Sequence, residues 1–90
     1  MPQYVSTHLA PGMSSEEFQM AAKGVAESKF ATFVHVYANL VEGFICTVYE
    51  ADSEDQLVKE FERLGFPYDG IHEIQFSVDA AQLRQMAQAG

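Results

Sequence analysis

Ninety residues suffice for one hydrophobic core and are too few for two, so residues 1–90 read as a single domain. Hydrophobic side chains make up 48% of the chain, including seven Phe and four Tyr, which puts a packed interior within reach. Five Lys plus Arg against thirteen Asp plus Glu leave a net charge of −8, which argues against nucleic acid or an anionic membrane surface as partner.

Tyr4 to Leu9 reads as a short strand stopped by Ala10-Pro11-Gly12. Ser14 followed by Glu17 is a capping-box pattern, and Phe18, Ala21, Ala22 and Val25 behind it recur at helical spacing. Gly24 weakens that helix, and close approach to the sheet would explain it. Phe30 to Leu40 and Phe44 to Tyr49 are rich in aromatic and β-branched residues, and Glu42-Gly43 between them predicts a hairpin. Ser53 with Gln56 predicts a second capping box, Leu57, Phe61 and Leu64 an apolar stripe, and Gly65 with Pro67 the helix stop. After the turn Pro67 to Gly70, Ile71 to Val78 reads as strand four and Asp79 to Ala89 as a short C-terminal helix.

This order predicts an α+β, ferredoxin-like βαββαβ sandwich: an antiparallel sheet of order 4-1-3-2 with both helices on one face. A domain this small buries only ~60–65% of its unfolded surface, so the open face would gain from a second copy, giving a dimeric α+β barrel. Strand alternation assigns Val5, Thr7, Leu9, Val34, Val36, His72, Ile74, Phe76 and Val78 to the helix side. Tyr4, Ser6, His8, Phe33, His35, Tyr37 and Glu73 then share the open face, where the chain topology lets His8 approach Glu73. A face of that mixed character suits a dimer interface or a ligand cavity.

Imidazoles with a carboxylate suit a divalent transition metal, and His8, Glu73, His35 and His72 are the candidate ligands. Their spacing matches no recognised ligand motif, so three independent structural histidines stand as the plainer reading of spacing alone. Cys46 is the sole cysteine, which excludes an intramolecular disulfide, and its alternation with Phe44 and Val48 reads as packing. Glycine-rich phosphate loops, nucleophile elbows and paired carboxylates are absent. With no charged-then-apolar leader and no long apolar run, neither a signal peptide nor a membrane span is expected, and the cytoplasm is the expected compartment.

Several stretches resemble a family. They are Cys46 to Ala51, Glu62-Arg63-Leu64-Gly65-Phe66-Pro67, Ile71-His72-Glu73-Ile74, and His8 ahead of Gly12-Met13 and a Ser-x-Glu-Glu helix start. Together they are similar to a small dimeric ferredoxin-like family of unknown function (the domain of unknown function 4242 type), which includes a nickel-binding branch. The resemblance implies a homodimer that binds Ni²⁺ or another divalent transition metal near the dimer face, with His8 and the His72-Glu73 strand as the positions to carry over. It departs at Phe61, where family members often show a His before the Glu-Arg pair. Binding or buffering of a metal ion or small ligand, rather than catalysis, is the resulting expectation. Two alternatives stay open: a monooxygenase- or isomerase-like enzyme with Phe33, His35, Tyr37 and Tyr49 lining an open-face cavity, and a plain interaction module.

Overall fold

The computed structural model describes residues 1–89, in the order β1 (Gln3–Leu9), α1 (Ser15–Glu27), β2 (Thr32–Asn39), β3 (Phe44–Glu50), α2 (Glu54–Leu64), β4 (Gly70–Ile74) and α3 (Ala80–Ala89). The four strands form one antiparallel sheet of order β2-β3-β1-β4, the predicted order read from the other edge. This is the ferredoxin-like α+β fold.

The capping chemistry explains where the helices start. Ser14 Oγ accepts from the Glu17 amide at 3.1 Å while the Glu17 carboxylate accepts from the Ser14 amide at 3.2 Å, so the first box is complete. In α2 only the Ser53 half forms: its Oγ accepts from the Gln56 amide at 3.3 Å. Gly65 ends α2 in the left-handed region at φ +72°, where a side chain would be strained. At α3, Asp79 and Gln82 exchange reciprocal backbone–side-chain bonds of 2.7 and 2.8 Å.

Both helices cover the same sheet face. The buried core joins Tyr4, Tyr49, Ala31 and Ala51 to Leu57 and Phe61 of α2, with Val25, Phe33, Phe66 and Ile71 packed against it. Buried Glu60 accepts from the Phe30 amide at 2.9 Å and from Arg63 Nε at 3.2 Å, while Arg63 Nη2 donates to the Gly24 carbonyl at 2.9 Å. That clamp ties the C-terminal end of α1 to α2. Gly24 permits the contact, because a Cβ there would lie 3.1 Å from Leu64 Cδ2. The close approach expected for Gly24 is therefore to α2, not to the sheet.

The facing of the strands differs from the sequence expectation in three places. On β1, Tyr4, Ser6 and His8 are buried beneath the helices, and Val5, Thr7 and Leu9 line the open face. Counting aliphatic residues misjudged this strand; polar Ser6 and His8 tolerate burial because they satisfy one another. On β2 a bulge at Val34, between Phe33↔Tyr49 and His35↔Val48, turns both Phe33 and Val36 inward and leaves Val34 outside. On β4 the ladder stops at Ile74, so Phe76 and Val78 lie beyond it and lend no weight to either face. The register pairs Ile71 with buried Ser6, His72 with Val5, Glu73 with buried Tyr4 and Ile74 with Gln3, which puts His72 and Ile74 on the open face and Glu73 on the helix side, the reverse of the expected alternation.

Candidate functional site

Between α1 and the sheet lies a cavity of about 660 Å³. Phe18, Ala21, Ala22 and Val25 of α1 form its roof; Phe33, Val36, Ile45, Thr47 and Tyr49 of β2 and β3 form the floor; Phe61, Phe66 and Pro67 close one side. Solvent-exposed Pro11 and Gly12 edge it, with Glu17 beside them. The roof is held at its ends. The Arg63 bond to Gly24 anchors one, and the Ala10 amide bonded to the Gly43 carbonyl at 2.7 Å fixes the loop leading into the other. Between those anchors α1 buries no residue completely, and Ala21 and Ala22 between Phe18 and Val25 are too small to fill the space above the floor.

At one end of the floor is a buried polar network. Ser6 and Thr47 are direct partners across β1 and β3, and their hydroxyls share a short hydrogen bond. Ser6 Oγ is 2.9 Å from His8 Nε2, and Thr47 Oγ1 is 3.5 Å from the same nitrogen. His8 Nδ1 lies 2.8 Å from the Pro67 carbonyl oxygen. A carbonyl only accepts, so Nδ1 carries the proton. The His8 ring, 6% exposed, packs edge-on to Phe61 at a centroid distance of 4.9 Å. Tyr49 meets Phe61 and Phe33 the same way, at 5.4 and 5.6 Å. Burial, with the Glu60 charge adding to it, pushes the Tyr49 hydroxyl up to about 12. The result is an apolar chamber with one hydrogen-bonding corner.

The four residues expected to hold a metal do not converge within one chain. His8 is inside, with both ring nitrogens engaged. Glu73 pairs with Tyr4, four residues along β1 from His8 and so about 13 Å away. The expected approach of His8 to Glu73 fails because His8 reaches past the start of β4 and meets Pro67 instead. His35, as expected, and His72, expected under the helices, both lie on the open face, at opposite ends of the row His35–Val48–Val5–His72, three strand spacings or about 14 Å apart. No group of three or more His, Cys, Asp or Glu side chains able to hold a metal occurs among the described residues. Phe61, where the family resemblance departs, lies directly against His8, so that imidazole has a hydrocarbon ring beside it rather than another donor.

The cavity itself was missed in the sequence, together with Ser6 and Thr47. Its signal is the run of small residues on the inner side of α1, Ala21, Ala22 and Ala26, facing a sheet whose aromatics belong to the opposite wall.

No family model and no curated protein matches the chain. A solved structure does: the crystal structure of SCO4226 from Streptomyces coelicolor A3(2) superposes with a TM-score of 0.74 at 22% identity, over 84% of this chain and 99% of that one. At that identity the likeness establishes the fold. No helix of the described residues is long and apolar enough to cross a membrane.

Proposed function

We propose that this domain is a small-molecule-binding protein whose site is the chamber between α1 and the sheet, and that it works as a homodimer joined through the open sheet face. The observation that carries the first part is the chamber: about 660 Å³, walled by aromatic and aliphatic groups, with convergent polar atoms at one end. Ligand pockets characteristically have this size and this mixture. The −8 charge of the chain and Glu17 at the rim favour neutral or cationic guests over anions. The second part rests on the open face. Val5, Tyr37, Phe44, Cys46 and Val48 share it, and of the thirteen acidic residues only Glu50 lies among its strand positions. A face so depleted of carboxylates on so acidic a chain is suited to burial against a second copy.

Nile red fluorescence tests the chamber. Wild-type protein is expected to bind the dye saturably with a blue-shifted emission, and Ala21→Trp, which fills the roof, to abolish binding while circular dichroism stays unchanged. Dye binding that survives in a folded Ala21→Trp protein would place the site elsewhere.

A second reading is a divalent metal held between copies, favoured by His35 and His72, which both stand exposed on the open face in one register row. In a dimer of face-to-face sheets, imidazoles too distant to cooperate within one chain would meet those of the other. Ni²⁺ titration separates the readings: saturable binding lost in His72→Ala supports the metal, and a flat titration removes it.

A further inference from the structure

The hydrogen-bond network at the floor has a direction, and that direction selects the ligand. The Pro67 carbonyl accepts a hydrogen bond from His8 Nδ1 at 2.8 Å, and in the neutral ring Nε2 is then the acceptor. Of the two hydroxyls near Nε2, Ser6 at 2.9 Å is the better placed donor, against 3.5 Å for Thr47. Ser6 thereby spends its only hydrogen, and its short bond to Thr47 requires Thr47 to donate. Thr47 has then spent its own hydrogen as well. Ser6 is fully buried, whereas Thr47 lines the chamber, so at this corner the capacity left to a guest is the lone pairs on Thr47 Oγ1.

We infer that the polar corner of the chamber favours apolar molecules bearing a hydroxyl or N–H donor, of the phenol or alcohol class, over those that offer only an acceptor. This rests on the chamber being the binding site. Burying an acceptor-only guest against Thr47 sets lone pair against lone pair and leaves both unsatisfied, whereas a donor completes the network.

The test is isothermal titration of the full chain with 2-naphthol and with 2-methoxynaphthalene, which share the ring system and differ in having or lacking the donor hydrogen. 2-Naphthol is expected to bind at least about ten-fold more tightly, the scale of one satisfied buried hydrogen bond. Thr47→Val, of nearly the same shape, is expected to erase the difference, and Thr47→Ser to restore it. Equal affinities in wild type, or a preference for the ether, overturn the donor rule while leaving the chamber as a binding site. Selectivity that persists in Thr47→Val overturns the role of Thr47. No binding of either compound, together with no Nile red binding, overturns the chamber reading and the donor rule with it.

Discussion

Glu60 and Tyr49 are two buried ionisable groups whose surroundings make stability depend on pH. Burial alone would raise the Glu60 carboxyl, but the Arg63 hydrogen bonds, the Phe30 and Lys29 amides and the Arg63 charge together outweigh it and hold the group below the usual carboxylate range. Its stabilising contribution is therefore present above pH 4.5 and is lost as pH falls through the lowered value. Glu60→Gln keeps the shape and loses the charge-assisted bonds, which should cost about 2 kcal/mol at neutral pH and flatten the acid limb, as read from urea melts across pH. Tyr49 behaves in the opposite sense. The unfolded chain ionises near pH 10 while the folded phenol waits until about 12, so stability is full below 10 and declines across that interval. Tyr49→Phe should reduce that alkaline decline, and spectrophotometric titration of the wild type should show a late-ionising tyrosine that is lost in the variant.

Among the secondary elements, glycine positions with positive φ differ in what surrounds them. At Gly65 a Cβ would meet nothing within 4 Å, so Gly65→Ala should cost only the strain of the left-handed conformation, about 1 kcal/mol. At Gly43 the same change adds a collision, because the Cβ would sit 2.9 Å from the Pro11 backbone. Gly43→Ala should therefore destabilise more than Gly65→Ala in parallel thermal melts; equal losses would mean that the contact holding the α1 entry loop is unimportant. Helix α3 buries no residue, and ending the chain at Val78 should leave stability within about 0.5 kcal/mol. Local chemistry was legible in the sequence: the cap at Ser14, the stop at Gly65 and the turn at Gly43 are each written in the residues that make them, and the element order follows. Facing was not. Ser6 and His8 look like surface residues until the partners that satisfy them are known, and those partners, Thr47 and Pro67, are 41 and 59 residues away. The Val34 bulge likewise depends on its neighbour strand, so alternation read along β2 alone places Phe33 on the wrong side.

For the molecule as a whole, the fold leaves two uncommitted apolar regions on opposite sides of one sheet: the chamber under α1 and the open face. They call for different occupants. A guest of small size fits the first, whereas the second is a broad surface that only another macromolecule can cover, and a stable pair would need to bury about 1,200 Å² or more in total. Tyr37 is 62% exposed at the centre of this question. Tyr37→Asp should halve the sedimenting mass if the open face joins two copies, and an unchanged mass would remove Tyr37 from any interface. The separation of the two regions also makes the binding site directly observable by amide chemical shifts in ¹⁵N-labelled protein titrated with 2-naphthol. Saturable shifts are expected at Phe18, Val25, Phe33 and Thr47, around the chamber, with His35, Cys46 and His72 unmoved. Shifts confined to His35, Cys46 and His72, or none at all, would contradict the chamber as the site of function.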